Sequence, residues 1–97
     1  MEKRTPHCQL SVVKSLIKAG KVRSTFSALA GASALQISFD GMLTIITSLT
    51  MQDFYKSMTT HSNHQVWDVY HAKTLSGEVY IKLTVIDDLL IFSFKEL

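Results

Sequence analysis

Alternation of apolar and polar positions is clearest in the last quarter of the chain. Val79, Ile81, Leu83 and Val85 interleave with Tyr80, Lys82 and Thr84, which predicts a strand with one apolar and one polar face. A second β-rich run, Leu89-Leu90-Ile91-Phe92-Ser93-Phe94-Lys95, follows the acidic pair Asp87-Asp88. The two runs predict a hairpin turning on that pair. Ile86 then opposes Leu89, and counting back places Lys82 opposite Ser93 and Tyr80 opposite Lys95. The apolar face gains Leu90, Phe92 and Phe94. The other face becomes a ledge carrying a phenol and two ammonium groups, which suits a phosphate.

Upstream the period changes. Leu10, Val13, Leu16 and Ile17 recur at helical spacing, and Gly20 stands where a C-terminal cap belongs, so Leu10–Ala19 reads as a helix with Lys14 and Lys18 outward. Lys21–Thr25 reads as an extended linker or edge strand. Ser27 can cap an alanine-rich helix to Leu35, weakened by Gly31, and Asp40 can cap a third. That third helix, filled by Met42, Leu43, Ile45, Ile46 and Leu49, is apolar on more than one face and is expected to be buried. Thr50-Met51-Gln52-Asp53 resembles a capping box. Phe54–His61 and Gln65–Ala72 read as strands, and Thr74–Gly77 as a loop; with four residues in the loop His71 opposes Tyr80, and a register shifted by one residue sets Tyr70 there instead. Helices first and an antiparallel meander afterwards is an α+β pattern.

Composition narrows the class. At 97 residues the chain is expected to form one domain, and 46% hydrophobic content fits a soluble globule rather than a disordered one. No apolar run reaches the roughly 20 residues of a membrane span. The opening Met1-Glu2-Lys3-Arg4-Thr5-Pro6 lacks the apolar region of a secretory signal. A lone cysteine, Cys8, excludes an internal disulfide and fits a reducing cytoplasm. The net charge of +2 divides unevenly, +5 in residues 1–23 and −3 in the remainder. A basic arm and helix can follow a polyanion, although a solvated helix face is the simpler account.

Chemistry must come from a limited kit. There is no glycine-rich phosphate loop, no Gly-x-Ser-x-Gly elbow and no Cys-x-x-Cys pair. His61, His64 and His71 loosely resemble metal ligands but lack a convincing further partner, so no metal or other cofactor is expected. Together with Lys56, Tyr80, Lys82 and Lys95 they instead offer proton carriers and fixed positive charge. Such a set can cleave RNA, because the substrate's 2′-hydroxyl is the nucleophile. The protein has to help remove its proton, stabilise the charge building on phosphorus and protonate the departing 5′-oxygen. By itself, a sheet bearing lysines and a tyrosine on its solvent face is ordinary.

Four blocks add more: Met1-Glu2-Lys3-Arg4-Thr5-Pro6-His7, Phe39-Asp40-Gly41-Met42, Asp53-Phe54-Tyr55-Lys56-Ser57-Met58-Thr59-Thr60 and Ser93-Phe94-Lys95-Glu96. In register over the whole chain, they resemble the motility quorum-sensing regulator toxins. The resemblance implies a RelE-like α+β fold, with N-terminal helices on one face of an antiparallel sheet. It implies a metal-independent mRNA endonuclease of a toxin–antitoxin pair, preferring GCU-type sites. The implied partners are mRNA and a zinc-binding, helix-turn-helix antitoxin that neutralises the toxin and represses the shared operon with it.

The resemblance also implies a catalytic lysine, a glutamine and a tyrosine. Lys56 matches the first and Tyr80 the last, with Arg23, Lys82 and Lys95 expected along the RNA backbone. The family's Trp-Gln-Asp-Val-Tyr block is one residue short here, running Trp67-Asp68-Val69-Tyr70. Losing one residue from a strand reverses the facing of one flank unless a bulge is lost instead. Counted back from Tyr70, Trp67 takes the glutamine's place; its indole can stack on a base but lacks an amide's acceptor and paired donors. Gln65 lies two residues earlier on the same alternation and could substitute. His61, His64 and His71 are auxiliary candidates. The alternative is a weakened or inactive relative serving as an antitoxin-binding protein and operon co-regulator.

Overall fold

A computed structural model describes residues 2–60 and 64–97, and the expected role of His61 lies outside the described residues. The helix predicted from the first apolar period forms as α1, Leu10–Lys18. It stops at Gly20, whose φ of +74° suits glycine and whose N–H donates to the Ile17 carbonyl. Helix α2, Phe26–Ala34, starts two residues earlier than a Ser27 cap requires. Thr25 is the cap, its hydroxyl accepting from the Ala28 N–H at 3.1 Å. Helix α3, Phe39–Thr47, is capped by Ser38 rather than Asp40, because the extended Ser38 hydroxyl reaches the Gly41 N–H at 3.1 Å. Asp40 sits inside the first turn, where its charge favours the helix dipole. The capping box forms as read: the Thr50 N–H donates to the Asp53 carboxylate at 2.9 Å, starting a single 3₁₀ turn over Met51–Asp53.

Among the described residues six strands make one sheet: β1 (Glu2–Lys3), β2 (Val22–Ser24), β3 (Phe54–Thr59), β4 (Val66–Thr74), β5 (Gly77–Ile86) and β6 (Asp88–Glu96), ordered β1-β3-β4-β5-β6-β2. The four long strands form the expected antiparallel meander. The short segment after α1 joins its edge as β2, parallel to β6, so the sheet is mixed. The helices cover one face of the sheet. Val13, Ala28, Ala32, Met42, Ile46 and Leu49 pack against Tyr70, Ala72, Val79, Ile81, Leu83, Leu89, Ile91 and Phe94. Gly31 is required by this packing rather than merely tolerated, since a Cβ there would lie 2.1 Å from the Phe94 carbonyl oxygen. Helix α1 belongs to this helical layer, so Lys14 and Lys18 of the basic amino-terminal segment lie away from the sheet's open face. Among the described residues no single helix is long and apolar enough to cross a membrane.

The β5–β6 hairpin corrects one detail of the reading and keeps its result. Ile86 pairs with Asp88, not Leu89, because Asp87 makes the turn alone with φ +63°. A bulge at Phe92 then adds back the residue that the tighter turn removes. Lys82 therefore meets Ser93, and Tyr80 meets Lys95, as counted. Between turn and bulge the facing is reversed: Leu89 and Ile91 are buried in the core, whereas Leu90 and Phe92 belong to the other face.

Candidate RNA-binding face

Opposite the helices, the sheet presents a face built by alternation. Pairing across β4 and β5 sets His71 opposite Tyr80 and Val69 opposite Lys82, while Tyr70 and Ile81 pair on the core side. Thr74 pairs with Gly77, so Leu75-Ser76 make a two-residue turn in place of the expected four-residue loop, and the register still sets His71 opposite Tyr80. On β3 a bulge at Tyr55 separates Phe54, paired with Tyr70, from Lys56, paired with Val69. A bulge puts two consecutive residues on one side, so Tyr55 and Lys56 both reach the open face. Lys56 and Tyr80 thus stand on one surface, on strands flanking β4.

The side chains there touch one another. Tyr55 and His71 stack with ring centroids 4.2 Å apart, and His71 lies 6.0 Å from Tyr80. The Lys95 ammonium is 5.2 Å from the centre of the Tyr80 ring, and that of Lys56 is 5.5 Å from Tyr55. Lys82 sits over two rings, 5.6 Å from Trp67 and 5.0 Å from Phe92. Partial burial, then the positive charges of Lys95 and Lys56, hold the Lys82 ammonium below the ordinary lysine value of 10.5. The three lysines therefore share one electrostatic field, and an anion arriving among them relieves it. Arg23, opposite Leu90 on the edge strand β2, extends the positive charge outward, with its Nε 4.0 Å from the Asp88 carboxylate.

The remaining residues singled out in the sequence fall at the margins. Trp67 occupies the open face as counted from Tyr70 and is largely covered, 7% exposed, with its ring 4.7 Å from Phe92. Gln65 precedes β4; its amide nitrogen lies 3.2 Å from the Thr84 hydroxyl and 3.1 Å from the Val66 carbonyl oxygen. His64 is exposed in the β3–β4 connection beyond the Thr59–Val66 pair. That is three residues from Lys56, on the order of 10 Å along the strand. Among the described residues no three His, Cys, Asp or Glu side chains converge as a metal site.

Beneath this surface, Asp68 and Ser57 pair on the core side and are fully buried. The Ser57 hydroxyl donates to one carboxylate oxygen of Asp68, and the backbone N–H groups of His7 and Cys8 donate to the two oxygens at 2.8 Å each. This ties residues 7 and 8 to the middle of the sheet, directly behind Lys56.

Sequence reasoning missed Tyr55 and Phe92 as members of the face. Both depend on bulges, and a bulge changes side-chain facing without leaving a mark in hydrophobic periodicity.

Two comparisons bear on this surface. The family model described as "Motility quorum-sensing regulator, toxin of MqsA" matches residues 5–96. The chain is 58% identical over 97 residues to "mRNA interferase toxin MqsR" of Escherichia coli (strain K12), covering 99% of each chain.

Proposed function

Because the chain belongs to the motility quorum-sensing regulator toxin family, we propose that it is an endoribonuclease toxin that cleaves mRNA at the open sheet face. The observation that carries the proposal is the placement of Lys56 and Tyr80, distant in sequence, on the same basic surface. The substrate's 2′-oxygen attacks phosphorus as its proton leaves, the bond to the 5′-oxygen breaks, and that oxygen receives a proton. The products are a 2′,3′-cyclic phosphate and a 5′-hydroxyl end. Lys56 stabilises the extra negative charge on the phosphorane. Tyr80, beside Lys95, exchanges the proton. Lys82, Lys95 and Arg23 hold the flanking backbone, and His71 orients the Tyr80 ring. GCU-type sites are the expected targets, in the cytoplasm where mRNA is translated. A zinc-binding, helix-turn-helix antitoxin is the expected neutralising partner.

Purified protein incubated with a synthetic RNA containing GCU tests this directly. Cleavage should persist in EDTA. It should fall by about a hundredfold or more in Lys56→Ala and in Tyr80→Phe, the scale of losing one charge-stabilising or proton-transferring group. Intact RNA after incubation with folded wild-type protein would defeat the proposal.

One observation favours a second reading, that of a weakly active relative retained for antitoxin binding. Trp67 holds the strand position that a glutamine would need, and Gln65 is held at Thr84 and Val66. Inserting Gln between Trp67 and Asp68 raises cleavage if that absence limits the rate. An unchanged rate sinks this reading.

A further inference from the structure

We propose that Phe92 is a base-stacking subsite, holding one nucleobase next to the phosphate that is cut. The proposal rests on the RNA reading above and adds a binding contact to it. Phe92 is the extra residue of the β6 bulge, so it and Ser93 both turn toward the open face, between core-facing Ile91 and Phe94. The bulge is pinned from the neighbouring edge. The Thr25 hydroxyl donates to the Phe92 carbonyl at 2.7 Å, and the Thr25 N–H donates to the Ile91 carbonyl at 3.1 Å. A fixed backbone therefore holds a large aromatic ring 40% exposed on a surface otherwise rich in lysine.

The surroundings select the occupant. One side of Phe92 leans on Trp67, and the Lys82 ammonium lies 5.0 Å from its ring centre. An aromatic surface beside a cation fits a group that joins a flat π-system to an anion, as a nucleotide does. Lys82 is two residues from Tyr80 along β5, about 7 Å. A phosphate among Lys56, Tyr80 and Lys95 can thus have its neighbouring base on Phe92. Every base has a π-face, so the subsite adds affinity and register along the strand rather than sequence preference.

Binding of a labelled 2′-O-methyl oligonucleotide, which cannot be cut, separates this contact from catalysis. Phe92→Leu keeps the apolar volume but removes the ring, and its melting temperature reports whether the fold survives. We expect Phe92→Leu to weaken binding about tenfold and Phe92→Tyr to bind as wild type. A series of oligonucleotides, each with one abasic position, should contain one that costs wild type a similar factor and costs Phe92→Leu nothing further. Wild-type affinity in folded Phe92→Leu, or equal abasic penalties in both proteins, overturns the subsite while leaving the RNA reading intact. Absence of any oligonucleotide binding by the wild-type protein overturns both.

Discussion

The rings of Tyr55 and His71 stack across the β3–β4 ladder with an interplanar angle of 18°, and Lys56 follows at the next position. Tyr55 is the extra residue of the β3 bulge, so this stack holds the backbone that aims Lys56 at the open face. Tyr55→Ala should therefore do two things. Stability should fall by about 0.5–1.5 kcal/mol, the scale of a lost aromatic pair. The kcat for RNA cleavage should fall ten- to a hundredfold through loss of lysine positioning, roughly the sensitivity expected of a misplaced catalytic group. Tyr55→Phe keeps the stack and should behave as wild type. Equal losses in the two variants would show that the phenol oxygen, not the stack, matters.

The buried carboxylate of Asp68 predicts a graded response. Asp68→Ala removes the carboxylate that accepts from His7, Cys8 and Ser57, leaving the His7 N–H only the Ser57 hydroxyl at 3.2 Å and that hydroxyl only the Thr5 carbonyl at 3.1 Å, and should cost about 2–4 kcal/mol in urea unfolding. Ser57→Ala leaves both backbone donors paired and should cost about 1 kcal/mol. Amide exchange at residues 7 and 8 should accelerate in Asp68→Ala alone. If the two variants lose the same stability, the carboxylate is not the anchor of this segment.

How much of this was readable beforehand depends on which physical signal each feature uses. Period and punctuation sufficed for α1 with its Gly20 stop and for the capping box at Thr50, whereas they left two registers open for β4 and β5, of which the chain adopts the one that pairs His71 with Tyr80. The caps of α2 and α3 shifted because Thr25 and Ser38, each an extended residue with a hydroxyl, compete with Ser27 and Asp40 on equal local terms. Parallel pairing of β2 with β6 is a long-range contact with no local signature. Residue type alone offers Lys56 and Tyr80 as candidates, but their placement on one face follows from strand order and a bulge rather than from spacing. Alternation counted from a two-residue turn puts Phe92 in the core. Asp87 turning alone and the compensating bulge moved it to the surface.

Tyr70 lies in the core with its ring edge-on to Phe54 at 5.4 Å, and among the described residues its hydroxyl has no hydrogen-bond partner. Burial first, and then the negative charge of Asp68, keep the phenol protonated far above its ordinary value of 10.0. The sign of the linkage follows. Above pH 10 the unfolded chain releases this proton while the folded chain keeps it, so stability declines as pH rises from there. Tyr70→Phe removes an unpartnered polar group and this alkaline penalty together. It should match or exceed wild-type stability by up to about 2 kcal/mol at neutral pH. The advantage should widen above pH 10 in urea titrations, and a clear destabilisation at neutral pH would reveal a partner for the hydroxyl.

Lys82 provides the pH test of the binding face. Burial and the charges of Lys95 and Lys56 lower its pKa in the free protein, and a bound phosphate supplies the opposite charge that raises it again. Binding therefore takes up a proton in the window between the lowered value and the ordinary 10.5. Affinity for an uncleavable oligonucleotide should fall as pH rises through that window. In Lys82→Arg the side chain stays protonated throughout, so the early part of the fall should vanish while binding at neutral pH persists. The free protein should respond in the opposite sense. Its protonated Lys82 is disfavoured by folding, so the Lys82 contribution to stability improves across the same window as the charge is lost. Superimposable binding curves for wild type and Lys82→Arg, measured by anisotropy at constant ionic strength, would remove Lys82 from the phosphate site.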